Sequence, residues 1–403
     1  MIAFLMFPVF GFGDDSHYTN ILVGDRVGAL AGAYTALSDD PAGMYYNPAG
    51  IVHASENSLS LSVNGYTSTS KEYKGVIGGK DWSRKSSGIV PNFFGMLHTW
   101  GKIKMGLSYA IPDQIMENQY DTLYNVPTGT PGLTATKFMI NHKTEDKTYH
   151  FGPSLAVEVA PRVSVGVTLY VHYRYTDYIS NQMAWISNGQ TNWFNQYTNI
   201  EEWGVRPILG LIWRQPSKFS VGIAVSRVFA LRSESRLQMT EKDMNDQTTV
   251  FNPPNSGDTR NYPYKISLGA AYYPNPDLLI TADIQYYTPT DYALFGSKRS
   301  FEAVINGALG SEYRMTRELA LRAGLYSNRS NTPEIKGVER ENSEKVDVYG
   351  GSLALCYVAG KTSVSVGGSY SFGDGKANIT TEPLIIDMAY RNWTLFISST
   401  YFF

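Results

Sequence analysis

The feature that most constrains this chain is an alternation of apolar with small or polar residues, which recurs from residue 57 to the C-terminus. Successive side chains of a β-strand point to opposite faces, so each such stretch belongs to a sheet whose two faces meet different surroundings. The pattern marks fourteen segments. The clearest pair runs Tyr149, Phe151, Leu155, Val157 and Val159, turns at Ala160-Pro161-Arg162, and returns through Val163, Val165, Val167, Leu169, Val171 and Tyr173. The final segment alternates Trp393, Leu395, Ile397, Ser399, Tyr401 and Phe403 and ends on the terminal aromatic.

The connections alternate too. Segments 2 to 3, 4 to 5, 6 to 7, 8 to 9, 10 to 11 and 12 to 13 are joined by a few residues. The other connections, near residues 68–88, 112–146, 178–199, 232–259, 288–300, 328–344 and 374–390, are long and polar. Short turns on one side and long loops on the other are the asymmetry of a bacterial outer-membrane barrel. Sandwiches and β-helices do not require it. An even strand count places both chain termini on the short-turn side, the periplasm.

Bulk composition agrees once barrel geometry is considered. Charged residues make up 17% of the chain, and mean hydropathy is -0.23. No run approaches the roughly 18 to 20 apolar residues of a spanning helix. A barrel strand needs only about 9 to 11 residues and turns every second one to lipid, so total hydropathy stays low. Tyrosine and tryptophan fall near both segment ends, as interfacial girdles require: Trp100, Trp213, Tyr272 and Tyr357 by short turns, and Tyr109, Tyr173, Tyr286 and Tyr370 by long ones.

With 34 basic and 36 acidic residues and no basic cluster, a nucleic-acid partner is not expected. The single cysteine, Cys356, rules out internal disulfides and multi-cysteine metal sites. The six histidines are scattered without metal-ligand spacing, and no nucleophile motif appears, so neither enzyme chemistry nor a cofactor is expected.

Two segments precede the strands. Residues 1–13, MIAFLMFPVFGFG, read as a secretory leader that lacks the usual basic start, with the mature chain beginning near Asp14. Residues 14–56 are rich in Gly, Ala and Asp and lack strand alternation; residues 57–403 are the barrel. Within the second segment, GDRVGALAGAY (24–34) is followed by DDPAGMYYNPAG (39–50), including Asp39, Asp40, Asn47, Pro48, Ala49 and Gly50. Small residues let backbone approach backbone, and Asn-Pro fixes a turn, so the segment can fold compactly inside a barrel.

This stretch resembles the N-terminal hatch of the FadL family, which includes fatty-acid transporters and aromatic-hydrocarbon channels. The resemblance implies an all-β, fourteen-stranded transmembrane barrel with the hatch as a plug in its lumen. It also implies a monomer, set in outer-membrane lipid, that passively takes up hydrophobic molecules such as long-chain fatty acids or hydrocarbons. Outer loops capture the solute, an inner pocket holds it, the hatch shifts, and the solute leaves sideways through the wall. In the family a kinked third strand supports that opening. Here the third segment, 102–111, holds Gly106 but no proline, whereas Pro153 and Pro207 interrupt the fourth and sixth and are the expected portal positions. A same-family barrel serving a secretion system or surface attachment is the alternative.

Turning the more apolar face of each strand to lipid directs Glu158, Arg174, Glu202, Arg206, Asp283, Glu302, Glu312, Arg314 and Arg322 inward. They can pair with one another or with Asp25, Arg26, Asp39 and Asp40 of the hatch. Arg26, Arg206, Asp283, Glu312 and Arg322 are the candidate anchors. The same assignment turns Phe94, Met96, Ile208, Ile212, Val304, Val348 and Phe396 inward as a candidate path for an apolar ligand.

Overall fold

The computed structural model describes residues 15–403 apart from 55–56, 217, 244, 296, 337–342 and 380–384. The expected leader, residues 1–13, lies outside the described residues. Fourteen long strands close into an antiparallel barrel. They are β1 (Ser58–Ile77), β2 (Lys80–Trp100), β3 (Ile103–Pro127), β4 (Thr134–Ala160), β5 (Val163–Ile186), β6 (Thr191–Gln215) and β7 (Phe219–Ser226), then β8 (Lys265–Asn275), β9 (Leu278–Tyr287), β10 (Val304–Arg314), β11 (Leu319–Asn328), β12 (Val348–Ala359), β13 (Thr362–Asn378) and β14 (Ile386–Phe402). Each pairs with its chain neighbours, and β14 returns to β1 with Ser58 opposite Phe402. Closure leaves no edge within the bilayer, where an unpaired backbone group costs several kcal/mol.

The outward faces carry an apolar belt. Leu61, Leu155, Leu169, Leu209, Ile223, Leu268, Ile284, Leu309, Leu325, Leu353, Val366 and Leu395 are all exposed, which only lipid makes favourable. Aromatics rim it. Trp100, Trp213, Tyr272, Tyr313, Tyr357 and Tyr401 stand at the short-turn end. At the other end Tyr149, Tyr173 and Trp203 stack in a row with ring centroids 6.0 and 4.4 Å apart, and Tyr370 meets Trp393 at 4.3 Å.

The six short turns fall where the sequence places them, but the long side differs. Of the expected loops, 68–88, 112–146 and 178–199 are mostly strand: β1 turns into β2 at Gly78 and Gly79, and β3 to β6 likewise run far past the upper girdle. Alternation continues there, but water replaces lipid outside. Tyr175, Asp177 and Asn181 then take the outward places of β5, and the apolar contrast that identifies a strand disappears. The inward faces of these ribbons contribute Tyr73, Trp82, Val126, Phe138, Ile140 and Tyr178 to an outer core, which Val346, Val348 and Met388 join from later strands. Arg84 pairs with Glu117 at 2.7 Å, and Lys71 with Glu344 at 2.6 Å, beside that core.

Above β7 the chain breaks at Arg227 and Val228. Strand Phe229–Lys242 then takes over beside β6 and pairs with Thr248–Phe251. A small hairpin, Thr290–Leu294 with Ser297–Phe301, lies between β9 and β10. The N-terminal plug contains α1 (Asp25–Ala29), α2 (Gly43–Tyr46) and a 3-10 turn, Pro48–His53. Its Val23, Val27, Leu30, Tyr34, Leu37, Met44 and Ile51 pack on Phe93, Leu97, Ala110, Ala156, Ala271 and Leu279 of the inner wall.

Candidate functional site: the chamber above the hatch

The hatch seats on wall positions that lack side chains. A Cβ at Gly210 would stand 2.0 Å from Asn47 Oδ1, at Gly222 2.3 Å from the Thr35 carbonyl oxygen, and at Gly166 2.4 Å from the Pro48 carbonyl carbon. These glycines lie on adjacent strands β5 to β7 and let hatch backbone touch wall backbone. Asn47, fully buried, uses the space. Its Nδ2 donates to Thr35 O at 2.8 Å and toward Leu211 O and Ile223 O at 3.3 Å, while Oδ1 accepts from Ala49 N at 3.2 Å. Pro48, Ala49 and Gly50 are buried in the turn it caps. Asp40 Oδ1 accepts from Ala42 N at 2.8 Å and closes the preceding turn.

Charge joins the hatch to the wall elsewhere. Arg26 donates to both carboxylate oxygens of Glu312, at 2.8 and 3.1 Å, and to Asp39 at 2.9 Å. Arg322 meets Glu312 at 2.7 Å, and Arg214 meets Asp39 at 3.4 Å. Burial disfavours the Arg26 cation, but Glu312 and Asp39 outweigh it and hold the guanidinium charged. Asp283 Oδ2 accepts from Tyr34 N, Thr35 N and the Thr35 hydroxyl at 3.1, 2.9 and 2.6 Å. Arg206 departs from this group: among the described residues it makes no ion pair with a hatch acid and instead lies over the Tyr45 ring, 4.3 Å from its centroid. Arg214 was not among the expected anchors; it sits beside a short turn, where alternation carries little information.

Between hatch and outer core lies a chamber of about 160 Å³. Tyr45 and Tyr46 line it from the same motif that seats Asn47 on the wall, so three consecutive residues serve chamber and seat. Register across β4 to β6 brings His150 opposite His172, and Arg174 opposite Glu202. His150 and His172 share a hydrogen bond of 3.0 Å, His172 approaches Glu202 at 3.3 Å, and the Tyr262 hydroxyl donates to Glu202 at 2.5 Å. Tyr18 stacks on Tyr287 at 4.6 Å, and Lys265 Nζ stands 5.6 Å from the Tyr287 ring centroid. Burial pushes the Tyr46 phenol well up, so it stays neutral.

None of the seven expected ligand-path residues lines this chamber. Phe94 and Met96 are each 42% exposed and face outward; Phe93 and Leu97 are the buried ones. Asn92 and Phe93 are both buried, and irregular pairing of β1 with β2 between Ser62 and Thr67 shifts the parity of β2. Ile208, Ile212, Val304, Val348 and Phe396 are buried, but Val348 belongs to the outer core and Phe396 packs on Ala29 and Ala354. Sequence reasoning favoured apolar side chains, whereas tyrosine, histidine and arginine supply twelve of the 25 residues that line the chamber.

The wall beside the chamber is interrupted. β2 and β3 pair at Ser86 with Glu117 and again at Phe93 with Ala110, with no pairs between. Pro91 and Pro112 lie in the interval, and β3 bulges against β4 between Ala110 and Asp113. Because β3 reaches Pro127 rather than residue 111, its proline is internal after all. At the positions expected from sequence the pairing is broken on one side only: Leu107 stands opposite Pro153 and Leu169 opposite Pro207, while β4 skips Gly152 and Pro153 against β5 and β6 skips Arg206 and Pro207 on its other side. These breaks are shorter than the six residues, 87–92, that β2 leaves unpaired against β3. Ile21 N donates to Pro112 O at 3.1 Å, and Asn92 Nδ2 to Leu22 O at 3.3 Å, so the hatch bars the gap from inside.

Barrel, plug and chamber together define a plugged fourteen-stranded membrane β-barrel with a ligand-sized chamber above the plug. Its fold is that of the FadL/TodX family. A FadL homologue from Pseudomonas aeruginosa superposes with a TM-score of 0.69 at 14% identity, over 96% of this chain and 100% of that one. The toluene transporter TbuX of Ralstonia pickettii gives 0.65 at 14% identity, over 95% and 99%. The toluene transporter TodX of P. putida gives 0.64 at 12%, over 95% and 99%. No family model and no curated relative matches the chain.

Proposed function

We propose that this chain is a bacterial outer-membrane channel for passive uptake of hydrophobic compounds, fatty acids or hydrocarbons, with lateral exit between β2 and β3. The observation that carries this reading is the chamber beside an unpaired stretch of wall that Ile21 and Leu22 close from within. Pro112 and Asp113 line both the chamber and the gap, so a solute held in the chamber meets the interrupted wall directly. Exposed Ile89 and Met116 flank the gap and offer the solute apolar surface continuous with lipid. A cavity of roughly 150 Å³ holds a benzene ring, so the chamber fits a single ring or a short length of acyl chain. The toluene transporters of the same fold support this ligand class.

A Cβ at Gly88 lies 3.7 Å from Met116 Sδ, so cysteines placed by Gly88→Cys and Met116→Cys can be joined across the gap by a short bis-methanethiosulfonate cross-linker, whose disulfides are reducible. Bridging should abolish toluene or oleate influx into proteoliposomes, and reduction should restore it. Undiminished influx in the bridged protein rejects the lateral route. In a deletion strain, intact uptake with lost release of surface proteins rejects transport in favour of secretion.

A further inference from the structure

The chamber is more cationic than an uptake path for neutral oils requires. Arg174, Arg206, Arg227, Arg260 and Lys265 line it, against Asp15 and Asp113. Asp15 is the node. Its Oδ1 accepts from Arg260 Nη1 at 2.6 Å and from Arg174 Nη2 at 3.1 Å, with the Tyr292 hydroxyl 3.5 Å from Oδ2. Arg174 also holds Asp146 at 2.7 Å, whereas among the described residues Asp15 is the one carboxylate paired with Arg260.

Residues 15–19 cross the chamber as a strap tied to several outer segments. Asn331 N donates to Ser16 O, Asn331 Nδ2 to Asp15 O, and Asn328 Nδ2 to Thr19 O, at 2.9, 2.9 and 2.7 Å. His17 Nε2 donates to Val346 O at 2.7 Å. The strap leads directly into Ile21 and Leu22, the residues across the gap in the wall.

We infer that Arg174 and Arg260 form a carboxylate-binding subsite which the chain's own Asp15 occupies at rest, so that a small carboxylate ligand, rather than a neutral one, releases the strap. This rests on the uptake reading and narrows it. Withdrawing Asp15 alone leaves the largely buried Arg260 guanidinium with the ring faces of Tyr262 and Tyr292 but no carboxylate partner among the described residues, which is unfavourable. An incoming carboxylate takes over both guanidiniums as the aspartate leaves, so charge balance is kept. A neutral solute offers no such exchange. The remaining surface, the faces of Tyr18, Tyr45, Tyr46 and Tyr287, accepts a flat or short apolar body of about one ring. The ligand class is therefore an aromatic or short-chain monocarboxylate.

The test is equilibrium binding of p-toluate and of p-xylene, which differ by one carboxylate, to the full-length protein in lipid nanodiscs. Asp15→Asn should raise the ratio of toluate to xylene affinity by about tenfold, the effect of freeing a charge-assisted hydrogen bond. Arg260→Gln should lower the ratio by a similar factor, and Asp15→Glu should leave it near the parent value. In the parent protein toluate, but not xylene, should speed amide exchange at residues 16–22. Folding of each variant is read from heat-modifiable migration. An unmoved ratio in both Asp15→Asn and Arg260→Gln overturns the subsite, as does equal acceleration of exchange by the two solutes. Xylene binding without toluate binding in any variant rejects the subsite and leaves the uptake reading intact. Binding of neither solute rejects both.

Discussion

Asn47→Ala isolates what holds the plug. The side chain is fully buried and makes one short bond to Thr35 O, two longer ones to the wall carbonyls of Leu211 and Ile223, and a capping bond from Ala49 N. Loss of an N-cap costs about 1 kcal/mol, and leaving a buried partner unsatisfied costs about 1 to 3 kcal/mol. The wall carbonyls keep their ladder bonds and add little. The plug should thus lose about 2 to 4 kcal/mol of docking free energy while the barrel ladder, to which Asn47 contributes nothing, is unchanged. Hydrogen exchange of plug amides reads this directly. Protection over residues 27–50 should fall by about 30- to 700-fold, since about 1.4 kcal/mol corresponds to a factor of ten. Exchange in β4 to β6 and heat-modifiable migration should not change. Unaltered protection of the plug, or equal loss in plug and wall, would refute the argument that Asn47 is a seat rather than a general packing residue.

Gly210→Ala should free the plug as Asn47→Ala does, because its methyl would enter the space of Asn47 Oδ1. Gly307→Ala, where nothing lies within 4 Å, should be silent in the same exchange experiment. Arg26→Lys keeps the charge but cannot reach both Glu312 oxygens and Asp39 together, so exchange at residues 24–34 should rise by about tenfold. Burial works against the Asp15 anion, but Arg260 and Arg174 prevail and bring its pKa from 3.8 to about 2. The stabilisation this gives the strap, roughly 2 kcal/mol, is fully present above the ordinary value and is lost as pH falls from about 4 towards 2. Protection of residues 16–19 should therefore be flat between pH 7 and 5 and collapse only below about 4, and Asp15→Asn should abolish that pH dependence.

The barrel was legible because lipid imposes a sharp rule: each spanning strand must alternate, and Leu155, Leu169 and Leu353 obey it without reference to any distant residue. The short turns and the hatch motif were legible for the same reason, being set by local geometry at Ala160-Pro161-Arg162 and Asn47-Pro48. Where lipid ends, the rule ends. The upper halves of β3 to β6 read as loops because water tolerates polar residues on one face while the other builds a core that only tertiary packing creates. Phe94 and Met96 were turned the wrong way because one irregular step near Val90 inverts the parity of β2; Pro91 marks the spot, but a proline does not say which face follows it. The glycine seat of the hatch, the placement of Asp15 between Arg174 and Arg260, and the gap at Pro112 join residues tens to hundreds of positions apart. The sequence by itself determined which face meets lipid wherever a strand alternates without interruption, since that depends on neighbours two residues away. Only the closed barrel decided which wall positions face the plug and where a chamber remains, since those depend on registers summed across many strands.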